Sequence, residues 1–118
     1  MISKRVSNYV MSTIESVVDG PDMVAMIEAW KLHGATAVWL VNGSKVTKYT
    51  RTAMAQAIGL FRDPRMKTIV AMLSFPIVVM GAKTVSMTLA LAGAADLRVL
   101  STFTEGEVLA RALSEATS

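Results

Sequence analysis

Cysteine is absent from the 118-residue sequence, and histidine occurs once. Disulfide frameworks and zinc or iron–sulfur sites need several such ligands, so one chain cannot assemble them, and a cysteine nucleophile is excluded. The single His33 follows a predicted helix, where a structural role is expected. Gly43, Ser44 and Lys45 lack the spacing of a phosphate-binding loop. We therefore expect no catalytic residues, no metal and no cofactor, and predict that the chain is not an enzyme.

Charged residues are also few: they make up 18% of the chain against 53% hydrophobic residues, and the mean hydropathy is +0.46. This composition excludes intrinsic disorder. The most apolar run, residues 68–82, contains Pro76 and ends before Lys83, so it falls short of the roughly 20 apolar residues of a spanning helix. The first residues lack the apolar core of a signal peptide. We expect one domain over residues 1–118, a cytoplasmic location and no membrane contact.

Strand-like and helix-like segments alternate along the chain. Apolar or β-branched runs predict strands over residues 9–18, 37–41, 68–73 and 97–100. Apolar residues at helical spacing and turn residues at the boundaries predict helices over residues 21–33, 50–61, 76–92 and from residue 104 onward. This alternation predicts an α/β sandwich with a four- to five-stranded, mostly parallel sheet and about four helices.

Three local features complete this prediction. The Asn-Gly-Ser-Lys sequence at residues 42–45 favours a turn that ends the second strand. Ser74 precedes Pro76 and is expected to cap the third helix. The first helix should bury one apolar stripe, formed by Met23, Met26, Ile27 and Trp30.

Three stretches of the chain carry a family resemblance: VVDGPDMVAMIEAWKLHGATAVWLV, VNGSKVTKYTRTAMAQAI and IVAMLSFPIVVMGAKTVSMTLALAGAADLRVLSTFTEGEVLARAL. In these stretches the chain resembles the STAS-like domain of anti-anti-sigma factors and related small bacterial proteins. The resemblance covers about residues 9–112 and lies in the order and pattern of the elements. It implies a non-enzymatic regulatory module that binds a kinase-like anti-sigma factor.

The resemblance also implies a phosphorylation switch. In that family the acceptor is the first Ser or Thr of an Asp-Ser-(Ser/Thr)-Gly motif at a helix start, and the matching stretch here is residues 47–52. Thr50 is the hydroxyl nearest in register and is the candidate phosphoacceptor. A phosphate at a helix start is electrostatically favourable. A Thr at that position also commonly serves as an N-cap.

Basic residues concentrate in one part of the chain. Six of the twelve Lys and Arg residues lie between residues 45 and 67, opposed there only by Asp63. Such a cluster is either a solvated rim or a surface for an anionic partner, such as a phosphate or an acidic protein face. Nucleic acid is the weakest of these partners, because few aromatic residues are interleaved.

The predicted third helix is apolar even on the side marked by Lys83. Its neighbours there include Met80 and Met87. Either the fold covers this helix fully, or the side is a surface for self-association or a partner, or it lines an apolar ligand pocket.

We therefore predict a self-associating module that docks a regulatory protein through a loop at residues 45–52 and the Met-bearing side of the third helix. The alternative is a carrier of a small apolar or anionic ligand. The expected partner-binding residues are Lys45, Lys48, Tyr49, Arg51, Met80, Lys83 and Met87.

Overall fold

Five strands and four helices follow one another in nearly the predicted order. The computed structural model describes residues 2–6 and 8–117. Its elements are β1 (Ile2–Val6), β2 (Tyr9–Val18), α1 (Gly20–Leu32), β3 (Val38–Tyr49), α2 (Arg51–Leu60), β4 (Thr68–Leu73), α3 (Pro76–Leu91), β5 (Asp96–Leu100) and α4 (Phe103–Thr117). The predicted α/β class, with a five-stranded, mostly parallel sheet and four helices, is confirmed. Strand β1 was not predicted.

The sheet order follows the sequence, β1-β2-β3-β4-β5. Strand β1 is antiparallel to β2, and the other neighbours are parallel. Helices α1, α2 and α3 pack on one face of the sheet, whereas α4 packs on the other. Three successive crossovers of the same hand place their helices on one face. Because the order of the parallel strands never reverses, the sheet has no switch point, where ligands of open α/β sheets usually bind.

Alternate residues of the central strands point into two apolar layers. In the layer under α1 to α3, Trp39 is fully buried, and its ring centroid lies 6.1 Å from that of Trp30 and 5.7 Å from that of Phe61. The Trp39 Nε1 donates to Ser12 Oγ at 2.9 Å, so its polar atom is satisfied. The predicted stripe of α1 is buried, as expected. The layer under α4 holds Tyr9, Val38, Leu40, Val70, Met72 and Ala110.

The predicted helix cap at Ser74 is wrong. Helix α3 has Phe75 as its N-cap residue, and no side chain bonds to its first backbone amides. Pro76 explains the difference, because it occupies the first helical position and has no N–H that would need an acceptor.

The predicted turn at residues 42–45 is also wrong, because β3 continues to Tyr49. Asn42 does make the local bond of a turn residue: its Oδ1 accepts from Ser44 N at 3.3 Å and from Ser44 Oγ at 3.0 Å. The result is an extra residue within the strand rather than a reversal of the chain. The β2–β3 pairing advances from Thr13↔Asn42 to Glu15↔Lys45, then from Ser16↔Val46 to Val17↔Lys48.

Each of these two register shifts adds one residue to β3. A bulge bends the strand that carries it and increases its twist. The bent end of β3 lies next to α2 and α3, and this position creates the groove described below.

In the part of the chain that the structure describes, no helix is long and apolar enough to cross a membrane.

Candidate binding groove between β3 and α3

The two halves of β3 differ in their pairing. Residues 38–42 pair with β2 on one side and with β4 on the other, whereas the paired residues beyond Gly43 (Lys45, Val46, Lys48 and Tyr49) pair only with β2. Strand β4 ends at Leu73, opposite Gly43, and the chain then turns into α3. The second half of β3 therefore has a free edge, which we define as residues 44–49 on the side away from β2.

A surface groove runs between this part of β3 and the first half of α3. It has a volume of about 460 Å³ and is open to solvent. Its walls come from three elements: the end of β3, one side chain of α2, and one face of α3. The residues that line this β3–α3 groove are Thr47, Lys48, Tyr49, Met54, Ile77, Met80, Gly81 and Thr84.

The depth of the groove depends on Gly81. A Cβ atom at this position would lie 3.7 Å from Met54 Sδ and 4.0 Å from Tyr49 Cδ2, which is ordinary contact distance. A larger side chain would fill the space. Tyr49 and Met54 also line an apolar cavity of about 40 Å³ beneath the helices, so they separate the groove from the core. Burial raises the pKa of the Tyr49 phenol to about 12.

One wall of the groove belongs to a longer apolar stripe on α3. Four side chains of this outer stripe are largely exposed: Ile77 (71%), Met80 (68%), Met87 (68%) and Leu91 (90%). Thr84 lies between them, so the positions are spaced alternately by three and four residues on one helix face. The Thr84 hydroxyl donates to Met80 O at 3.2 Å and is thereby used within the helix. The sequence-based question about this helix thus has an answer: its Met-bearing side is exposed.

One basic residue lines the groove, and two others lie close in sequence to its lining residues. Lys48 is part of its wall, and Lys83 precedes Thr84 on α3. Arg51 lies three residues before Met54, and residues at this spacing are neighbours on a helix surface. All three are exposed, and within residues 2–6 and 8–117 none of them makes an ion pair. The groove therefore combines an apolar wall with positive charge that has no acidic partner.

The structure divides the basic cluster of the sequence. Lys45 lies outside the groove, in a separate depression with Glu15. Arg62, Arg65 and Lys67 follow α2, whose ten residues span about 15 Å, and so lie far from its start. Arg65 donates to Asp63 at 2.8 Å and lies over the Trp30 ring. These hydrogen bonds from Arg65 hold the pKa of Asp63 down at about 2.

Thr50 caps α2, one of the two roles that the sequence left open. Its Oγ1 accepts from Ala53 N at 3.1 Å and donates to Asp19 Oδ1 at 2.6 Å. Asp19 is itself the N-cap of α1 and also accepts from Gly20 N at 2.8 Å. The hydrogen bonds from Thr50 and Gly20 lower the pKa of Asp19. A phosphate on Thr50 would lie next to this carboxylate and would disrupt the hydrogen bonds that cap α2, so both effects disfavour phosphorylation. The phosphoacceptor role stays a prediction.

Of the residues predicted to bind a partner, Lys48, Tyr49 and Met80 share the groove. Arg51 and Lys83 lie at its borders, and Met87 continues the outer stripe about two turns beyond Met80. Of the other lining residues, Thr47 lies within the predicted docking stretch 45–52, and sequence reasoning missed the rest. The three-residue spacing to Met80 could have indicated Ile77. Nothing in the sequence marks Met54 or Gly81, because both contribute only through contacts between separate elements.

No protein-family model, curated protein or solved structure matches this chain significantly. The resemblance to anti-anti-sigma factors accordingly remains a prediction made from the sequence.

Proposed function

We propose that this protein is a non-enzymatic interaction module, resembling anti-anti-sigma factors, that binds a regulatory protein in the cytoplasm through the β3–α3 groove. The observation that carries the proposal is the meeting of exposed apolar side chains and unpaired cations in one groove. Exposed apolar patches with polar rims commonly mark protein contacts. Met80 suits such a contact because its flexible side chain adapts to different partners.

Affinity capture from the native host tests this proposal. The bait is the tagged full chain, compared with the variant Met80→Glu in the groove and the matched control Leu32→Glu. Leu32 is 85% exposed at the end of α1, so both substitutions place a carboxylate at an exposed apolar position. We expect a partner that is captured by the wild type and by the control but lost with Met80→Glu. Equal capture by all three baits would contradict the proposal.

Self-association is a second candidate, supported by the length of the outer stripe. Its alternating spacing of three and four residues is that of helices that pack on each other. An antiparallel pair of α3 helices would bring Ile77 of one copy to Leu91 of the other, and Met80 to Met87. Light scattering after size exclusion tests this arrangement. A dimer that Leu91→Glu converts to a monomer supports it, and a monomer at high concentration rejects it.

The apolar cavity beneath the helices is too small for the carrier alternative. The apolar cavity beneath the helices measures about 40 Å³, whereas ligand pockets usually enclose about 300–1,000 Å³. A ligand of ordinary size would therefore have to use the β3–α3 groove. Native mass spectrometry of freshly purified protein distinguishes the two functions, because a co-purifying small molecule would favour the carrier.

A further inference from the structure

We propose that the partner binds with an extended acidic segment that pairs with the free edge of β3 and places an apolar side chain in the β3–α3 groove. The inference rests on the proposed function and specifies the chemistry of the partner. Three independent features of the described residues support it: the backbone of β3, the shape of the groove and the charge around it.

The second half of β3 has no strand partner on the side away from β2. Residues 44–49 span roughly 20 Å of extended chain. Across the described residues, backbone hydrogen bonds join this half of β3 to β2 alone, apart from the local bond of Ser44 N to Asn42. Alternate residues of a regular strand direct their N–H and C=O groups to the same side, so the free edge offers such groups to an added strand on each side of the bulge between Val46 and Lys48. Such strand addition is a recurring way of binding peptides.

The groove lies beside this edge. Thr47, Lys48 and Tyr49 belong to both the free edge and the groove wall. A segment paired with the edge would direct every second side chain to the same face. An apolar side chain on the face toward α3 would contact Ile77 and Met80, whose large exposed surfaces it would cover. The volume of about 460 Å³ is sufficient for one or two large side chains.

The charge around the groove selects an acidic segment. Lys48, Arg51 and Lys83 have no ion-pair partner in the described part of the chain. The nearby carboxylate of Asp19 is engaged by Thr50 and by Gly20. Lysine on a sheet edge discourages pairing with a like-charged strand. Carboxylates flanking the apolar side chain would meet these cations, whereas a basic segment would be repelled.

Selection from a display library of random decapeptides tests the proposal with the full chain as bait. We expect enriched peptides in which Asp or Glu alternates with an apolar residue. The best peptide, labelled and synthesised, is then titrated by fluorescence anisotropy. Gly81→Leu fills the groove and Lys48→Glu reverses its charge, so each should weaken binding by about tenfold or more.

Two matched controls accompany these variants. Gly59→Leu makes the same change in α2, where a Cβ atom would meet nothing within 4 Å. Lys67→Glu makes the same charge reversal at an exposed position before β4, at the opposite end of the strands. Neither control should change binding by more than about twofold. Lys48 is exposed, so Lys48→Glu remains informative even if Gly81→Leu fails to fold.

Hydrogen exchange and backbone methylation examine the strand pairing itself. Bound peptide should protect amides within residues 44–49, and N-methylation of alternate peptide amides should weaken binding about tenfold in one of the two registers. Failure to enrich acidic peptides, equal binding to Gly81→Leu and Gly59→Leu, or a bound peptide that leaves these amides unprotected would each overturn the proposal. A partner that Met80→Glu releases, without protection of the edge, would leave the proposed function standing and reject only this inference.

Discussion

The two halves of β3 form one continuous strand, yet they differ in strand pairing and in burial. Residues 38–42 pair on both sides, and Trp39, Leu40 and Val41 are buried between α4 and the other helices. Residues 44–49 pair with β2 alone, with the two bulges between the paired residues, and only Val46 is fully buried. A strand is paired on both sides only as far as the shorter of its two neighbouring strands extends. Because β4 ends at Leu73, the longer strand presents its remaining half to solvent.

The first half of β3 should carry much of the stability of the fold. Trp39→Ala removes a fully buried ring that contacts Trp30 and Phe61, so we expect the free energy of unfolding to fall by about 3–5 kcal/mol. Lys48→Ala, in the exposed half, should change it by less than about 0.5 kcal/mol. Urea unfolding monitored by circular dichroism measures both. Similar losses in the two variants would show that the halves do not differ as described.

The face of β3 that is covered by α4 provides a second measure. A Cβ at Gly106 of α4 would overlap the Met72 side chain and lie 3.4 Å from Leu40 Cδ1. Gly106→Val should therefore push α4 away from the sheet and cost about 1–3 kcal/mol. Gly59→Val is the control, since the space around Gly59 is open. Equal unfolding midpoints for the two variants would indicate that α4 does not pack closely.

The end of β3 has a smaller stabilising feature in Thr50. Thr50→Ala removes the cap of α2 and the hydrogen bond to Asp19, and should cost about 1 kcal/mol. Thr50→Ser keeps the hydroxyl and should recover most of this loss in thermal unfolding. A serine variant that is as unstable as the alanine variant would argue against the capping role.

The smallest expected effect concerns the phenol of Tyr49 at high pH. Burial raises its pKa from the ordinary value of 10.0 to about 12, so the unfolded chain loses this proton first as the pH rises. The stability that the protonated phenol provides is thus complete below pH 10 and is lost between about pH 10 and 12. Tyr49→Phe should lessen this alkaline decline, measured as unfolding free energy against pH. Tyr9, whose pKa burial also raises, retains its own contribution. An unchanged decline in Tyr49→Phe would mean that the Tyr49 ring is solvated.

Sequence patterns predicted the fold well where the periodicity was strong. The bounds of β2 and β4 were predicted without error, and the buried stripe of α1 agreed with the structure. Strand β1 was missed because its five residues, ISKRV, show little apolar character and pair only with β2. The prediction at residues 42–45 failed for a different reason. Asn42 and Gly43 favour turns, but the neighbouring β2 supplied pairing partners beyond them, and a bulge formed instead.

The candidate groove was predictable only in part. The sequence indicated a basic segment after the second predicted strand and an unusually apolar helix, and both contribute to the groove. It also grouped Lys45 and Arg65 with Lys48, although the structure places them elsewhere. Residues that are near in sequence are near in space only within about one helical turn. The ten residues of α2 separate the two ends of the basic cluster by about 15 Å.

The sequence by itself determined the class of fold, because the spacing of apolar residues fixes which face of each helix and strand leaves water. It also determined that the basic segment and the methionines of the third helix are present. Only the tertiary structure decided that they meet, since the length of β4, the two bulges of β3 and the small size of Gly81 act together across elements distant in the chain. Local patterns in the sequence indicate which residues are buried, whereas a binding surface depends on which distant segments of the chain the fold places next to each other.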